Sequence, residues 1–167
     1  RRRRSTLREL ISIKHGFAFP GAGFSTDQAL PTLVTPGNFA IGGGFVAAKP
    51  KTFRGEFRGE YELAPHSLVV TMTDLSKRGD TLGYSARIPS GGRYLHNQRI
   101  GLVMTSGPGD VSIDYLYYLL QTRGYRQHVL ATATGSTVRH TSPSRIYDYE
   151  FDLPPIDEQR RIAEVLG

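Results

Sequence analysis

The apolar positions of this chain fall into short runs separated by turn formers. That pattern builds strands rather than long helices. Ser67-Leu68-Val69-Val70-Thr71-Met72 is the strongest buried-strand segment. Further strands are expected at Leu33-Val34-Thr35, stopped by Pro36-Gly37, and over 82–88 and 99–104. Another is expected at Phe151-Asp152-Leu153, stopped by Pro154-Pro155. Residues 52–62, polar with interspersed aromatics, read as a loop with a strand edge or as a short hairpin. Gly42-Gly43-Gly44, Pro89-Ser90-Gly91-Gly92 and Ser106-Gly107-Pro108-Gly109 read as turns.

Helical periodicity is confined to a few places. Leu7, Leu10, Ile11 and Lys14 have helical spacing, with Ser5 or Thr6 as a cap and Gly16 as the end. Asp114 is placed to cap a helix from Tyr115 to about Arg123, interrupted at Gly124 and resumed over 125–131. Residues 132–144 form a polar loop rich in Thr, Ser and Gly. A last helix starts at Asp157, with Ile162 and Leu166 four apart on one face. The fold class expected is α+β, a strand-rich mixed and curved sheet with short flanking helices, ending in the start of a longer helix. Residues 1–155 then make one domain, with Arg1 to Arg4 as a basic and loose tail, and 156–167 belong to the closing helix.

Composition narrows the function classes. At 167 residues the chain suits one domain with a real core. Cysteine is absent, which excludes a disulfide framework and Cys-ligated zinc. No apolar run approaches the length of a membrane-spanning helix, so a cytoplasmic protein is expected. The net charge of +6 invites a nucleic-acid partner, but Arg1 to Arg4 alone supply four of those charges.

Catalytic patterns are weak. His15, His66, His96, His128 and His140 are scattered without a metal-binding spacing. There is no G-x-S-x-G elbow and no Walker loop. Asp74 and Asp80 with Lys77 between them are the nearest approach to a nuclease-like set, at a spacing common by chance. The expectation is a chain with no catalytic site, no cofactor and no metal.

Groups able to read DNA are more plentiful. Base edges are read by Arg, Lys, Asn and Gln, and phosphates are held by hydroxyls, amides and cations. Asn38 follows a Pro-Gly turn. Thr73, Ser76, Lys77 and Arg78 follow the strongest strand. Arg93, His96, Asn97, Gln98 and Arg99 form a second cluster. Thr134, Gly135, Ser136, Thr137, Arg139 and His140 form a third. Each cluster taken singly also fits a solvated loop.

The closing run Leu153-Pro154-Pro155-Ile156-Asp157-Glu158-Gln159-Arg160-Arg161-Ile162-Ala163-Glu164-Val165-Leu166 is more specific. It resembles the end of a target recognition domain in type I restriction–modification specificity subunits. There the pattern L-P-P-x-x-E-Q-x-x-I-A-x-x-L joins the domain to a spacer helix, and every fixed position is matched. Gly16-Phe17-Ala18-Phe19 resembles that family's opening G-x-A-F element. Residues 32–39 resemble its following strand and turn, with Phe39 in place of the usual aliphatic. Tyr115-Leu116-Tyr117-Tyr118-Leu119-Leu120 resembles its F-L-Y-Y-L-L helix, and Ala133 to Val138 its A-x-G-[ST]-x-V loop. The resemblance implies a domain reading one half of a bipartite double-stranded DNA target. It implies methyltransferase and restriction subunits as partners, with the chemistry in those chains. A second recognition domain or a homodimer partner supplies the other half-site. A fused restriction–methylation enzyme and a dimerising half-subunit remain alternatives, as does a small metal-dependent nuclease.

Within this picture the expected DNA contacts are Asn38, Thr73, Lys77, Arg78, Asn97, Gln98, Arg99, Thr134, Gly135, Ser136, Thr137 and Arg139. Pro154, Pro155, Glu158, Gln159, Ile162 and Leu166 are expected at the spacer-helix and partner interface. Pro154-Pro155 stiffens the exit, and the apolar positions of the helix offer a stripe to another helix.

Overall fold

The computed structural model describes residues 1–76, 78–107 and 109–167. The chain opens with β1 (Arg3–Thr6), a 3-10 turn (Leu7–Glu9) and β2 (Ile11–His15). Two-residue strands follow: β3 (Phe24–Ser25), β4 (Thr32–Leu33), β5 (Thr52–Phe53) and β6 (Glu62–Leu63). Then come β7 (Leu68–Thr71), β8 (Thr73–Asp74), β9 (Ser85–Arg87), β10 (Tyr94–Leu95) and β11 (Ile100–Thr105). Helices α1 (Ile113–Leu119) and α2 (Arg123–Thr132) are followed by β12 (Arg139–His140) and α3 (Pro143–Tyr147). The last elements are β13 (Glu150–Leu153) and α4 (Ile156–Leu166).

The strand-rich α+β class is what the sequence predicts, but the strands are divided among several sheets. An antiparallel sheet in the order β2-β11-β7-β9 forms the centre. Its side chains alternate between two apolar layers, as the pleat requires. Leu68, Val70, Val103, Ile11 and Ile13 join Leu116, Leu120, Val129 and Ile146 of the helical side. Val69, Ala86 and Ile100 face the other way, onto Val34, Phe39 and Leu63. That second layer belongs to the mixed sheet β3-β5-β4-β10-β6, in which β4 and β10 run parallel. Phe19, Leu33, Phe53 and Leu95 make a third, smaller core.

Several expectations need correction. The helical spacing over 7–14 is the sum of two unlike elements. Leu7 and Leu10 belong to a 3-10 turn and its cap, whereas Ile11 and Ile13 alternate with Ser12 along a strand. The strand wins because β11 offers an edge for it, from Thr105↔Ile11 to Gly101↔His15. Tyr147 Oη also accepts a hydrogen bond from the Ile13 amide at 2.8 Å. Arg3 and Arg4, expected in a loose tail, lie in β1 and pair antiparallel with β13. Ser112, not Asp114, caps α1, its hydroxyl accepting from the Tyr115 amide at 3.3 Å. Asp114 instead holds Arg87 at 2.6 Å. Thr122 caps a separate α2, so Gly124 sits inside that helix's first turn rather than interrupting a longer one. Residues 132–144 are not all loop, since they contain β12 and the start of α3. The strand expected over 82–88 is limited to 85–87, because residues 79–84 are turns that return to Thr71.

Candidate nucleic-acid interface

The three polar clusters, far apart in sequence, are brought together by a short backbone stack around Met72. The Met72 amide donates to Arg99 O at 2.9 Å, and its carbonyl accepts from the Thr141 amide at 3.0 Å. One step along, β8 pairs with β12, with Arg139 opposite Asp74 and His140 opposite Thr73. Residues 97–99, 72–74 and 139–141 therefore lie side by side, and the loops attached to them are brought together.

The 74–82 loop is shaped by Asp74. Its buried carboxylate accepts from the amides of Ser76 at 2.7 Å and Thr81 at 2.6 Å, and from Thr81 Oγ1 at 3.0 Å. Burial alone pushes this carboxyl up, but the hydrogen bonds from Thr81 and Ser76 outweigh it and hold the group below its ordinary value. The Asp74 carboxylate thus organises its own loop. Arg126 fastens the far side, donating to Gly79 O at 2.8 Å and Leu82 O at 3.4 Å. Arg78 is exposed on this loop. Lys77, expected to contact DNA, lies outside the described residues.

The 96–99 loop rests on His96 and Gly16. His96 is fully buried, and its Nε2 is 2.6 Å from Ile100 O, so that nitrogen carries the proton. Burial holds its imidazole below the ordinary range. The opposite wall is the backbone at Gly16, where a Cβ would lie 2.2 Å from Asn97 O. The G-x-A-F element thus owes its glycine to a close backbone approach. Asn97 is buried, its Oδ1 accepting from the Arg99 amide at 3.1 Å. Gln98 and Arg99 are the exposed members.

The 134–140 loop is a tight return in which Thr134 and His140 exchange both backbone hydrogen bonds. Gly135 has φ +91°, and a Cβ there would meet Val138 O at 1.9 Å. Gly135, expected as a DNA contact, is required by the loop's own closure. Thr134, Ser136 and Thr137 are exposed, and Arg139 is half-buried beside the 74–82 loop.

Two other expected contacts are spent internally. Asn38 is buried, accepting from the Thr35 amide at 3.0 Å and donating to Val46 O at 3.1 Å. Thr73 is buried, with its hydroxyl 3.3 Å from His140 Nδ1. Sequence reasoning in turn missed Phe24, Lys51 and Leu75. They join Asn97, Gln98 and Arg99 around a cleft of about 400 Å³. The pairing of β3 with β5 brings Phe24 and Lys51 there, and no local pattern signals it.

Charge is distributed differently from the sequence expectation. Arg2 pairs with Glu158, Arg4 with Glu150 and Asp152, and Arg8 with Asp148. Part of the basic start is thus neutralised in place, while Arg3 reaches only the Ser5 hydroxyl at 3.3 Å. Among the described residues Lys51, Arg78 and Arg99, at the cleft and its loops, form no ion pair with a carboxylate, and neither do Lys49, Arg1, Arg3 and several other arginines away from it. Also among the described residues, no three His, Asp or Glu side chains gather as a metal site. No helix of the described residues is long and apolar enough to cross a membrane.

The closing motif has its own geometry. Gln159 is turned inward, 1% exposed. Its Oε1 accepts from the Ser112 amide at 2.9 Å, and its Nε2 donates to Asp110 O at 3.0 Å and Pro154 O at 2.9 Å. It was expected to face a partner, but it ties α4 to the start of α1 and to the end of β13. Pro154 is buried, Pro155 exposed, and Glu158 pairs with Arg2 at 2.7 Å. Ile162 is half-buried against the domain's own core and Ala163 is buried. Val165 and Leu166 stay exposed at 83% and 58%.

No protein-family model matches the sequence, and no curated protein matches it. Solved structures do. The type I restriction–modification system S subunit from M. genitalium superposes with a TM-score of 0.67 at 16% identity, over 99% of this chain and 38% of that one. A chain from a type I R-M system studied for complex assembly and conformational transition gives 0.67 at 15% identity, over 99% and 37%. The HsdS subunit from Thermoanaerobacter tengcongensis gives 0.61 at 14% identity, over 99% and 36%. This chain spans less than two-fifths of the length of those it matches. Over nearly all of its residues, this chain has the fold of type I restriction–modification S subunits.

Proposed function

We propose that this chain is a target recognition domain that reads one half of a bipartite DNA site. One observation carries the reading: loops 74–82, 96–99 and 134–140 converge on one face, beside a cleft, where Arg78, Arg99 and Lys51 form no ion pair among the described residues. That is the electrostatic footprint a phosphate backbone selects. Arg78, Lys51, Ser136 and Thr137 hold phosphates, while Gln98 and Arg99 reach base edges. Arg139 and Gly135 set the walls of the third loop. The contact surface is smaller than the sequence list, because Asn38 and Thr73 are committed inside the fold, whereas Asn97 keeps a place on the cleft wall.

The chain works without chemistry of its own. Methyltransferase and restriction subunits supply methyl transfer and cleavage, directed by the sequence that this domain selects. The exposed apolar end of α4, with Leu166, Val165 and the edge of Ile162, meets a partner helix. That helix belongs to a second recognition domain or to a symmetry-related copy.

The test is DNA binding by the full-length subunit with its methyltransferase partners. Arg99→Ala and Gln98→Ala are each expected to cost about 1–3 kcal/mol and relax selection at one position. Arg78→Ala is expected to weaken all sequences alike and reduce the salt slope by about one unit. Unchanged affinity and salt dependence in all three variants would remove this face from the interface.

A further inference from the structure

A single exposed leucine is ordinary on a protein surface. Leu75 is unusual in where it sits and how it is held. It is 66% exposed, yet it lies between two fixed neighbours. Asp74 is buried, and its carboxylate grips the amide of Ser76 at 2.7 Å. The backbone on both sides of Leu75 is therefore pinned, and the side chain is presented outward. It lines the same cleft as Gln98 and Arg99, two exposed groups of the kind that bond base edges. Phe24, 41% exposed, forms another wall, with Lys51 Nζ 4.2 Å from its ring centroid. The cleft thus combines cations and an amide with two apolar surfaces that the domain's own core leaves uncovered.

Double-stranded DNA offers one apolar group in its major groove, the C5 methyl of thymine. A pinned aliphatic side chain beside base-reading polar groups suits that methyl. We infer that Leu75 is a specificity-determining residue that packs on a thymine methyl in the major groove, while Gln98 and Arg99 read neighbouring bases. This inference rests on the recognition reading above and adds to it the identity of one contact. The methyl binds without a hydrogen bond, so its discrimination is modest and additive to the polar contacts.

The experiment uses the full-length subunit with its methyltransferase partners, on the duplex target defined by methylation sequencing. Each thymine of the site, on either strand, is replaced in turn by deoxyuridine, which lacks only the methyl. For the unaltered protein, one replacement is expected to weaken binding about fourfold, the worth of one buried methyl group. For Leu75→Ala that thymine and deoxyuridine are expected to bind alike, with selection at the other positions retained. Two results would overturn the inference. One is the absence of any thymine whose methyl matters. The other is the same thymine preference in Leu75→Ala as in the unaltered protein, with or without an equal loss on both targets. If Arg78→Ala and Arg99→Ala weaken binding while one of these results appears, only the Leu75 assignment fails. If those variants also leave binding unchanged, the recognition face itself is misplaced.

Discussion

Replacing Gln159 by alanine removes three hydrogen bonds at the joint between the domain body and α4. The Pro154 carbonyl is left buried and unpaired, a loss of about 2 kcal/mol. The Ser112 amide and the Asp110 carbonyl lie nearer the surface and recover water, so each costs about 1 kcal/mol. The sum of roughly 4 kcal/mol is a large fraction of the about 5–15 kcal/mol that holds an ordinary domain together. With an m-value of about 2 kcal/mol/M, the urea midpoint of the chain is expected to fall by about 2 M. Gln159→Glu sharpens the test. It keeps an acceptor for Ser112 but presents an oxygen to two carbonyls, so it destabilises at neutral pH and recovers in acid, where its carboxyl can donate. Arg161→Ala, at an exposed site two residues along α4 and on its opposite side, is the control. A Gln159→Ala midpoint within about 0.5 M of that control would refute the assignment of the clamp.

Other outcomes follow from the loops. Asp74 has a lowered folded-state value, so its stabilising contribution is complete above its unfolded value of about 4 and is lost as pH falls through the folded one. Asp74→Asn is expected to flatten the fall in stability below about pH 4, read from urea midpoints across acid pH, and an unchanged slope would remove the carboxylate from the loop's support. The lowered value of buried His96 acts in a higher window, where stability declines as pH drops below about 6.5, so the two are separable by pH. Gly16→Ala puts a methyl on the Asn97 carbonyl and is expected to destabilise by about 1–3 kcal/mol, with faster amide exchange over 96–99. Normal exchange there would mean that β2 and the 96–99 loop separate freely.

The class of fold and the closing motif could be read from the sequence because both rest on local rules. The apolar run over 67–72 needs no partner to declare a buried strand, and Pro154-Pro155 declares a stop. The 7–14 segment misleads because Leu7 and Leu10 borrow helical spacing from a turn, while the edge that decides for a strand lies about ninety residues away in β11. The candidate surface was half legible. Side-chain type named Arg78, Gln98, Arg99, Ser136 and Thr137, all exposed. Type alone could not separate them from Asn38 and Thr73, whose polar atoms are engaged by nearby backbone and side chains. Gln159 carried the same ambiguity: a glutamine on a helix reads as surface until the groups it satisfies are seen. Phe24, Lys51 and Leu75 had no signal, because only tertiary pairing gives them a shared cleft.

The pairing of β1 with β13 has a consequence for how this body can be handled as a part. Arg3 stands opposite Leu153, so the segment between them is a closed loop hung on a two-strand stem. A carrier chain that supplies the two feet of that stem can exchange loops between them without shifting its own ends, provided the backbone at Asp110 and Ser112 that holds Gln159 is kept. The stem is held by backbone pairing and by arginine–carboxylate contacts at its edge, none of which depends on the loops at the cleft. The cleft loops are therefore free to change their side chains while the direction in which α4 departs stays set.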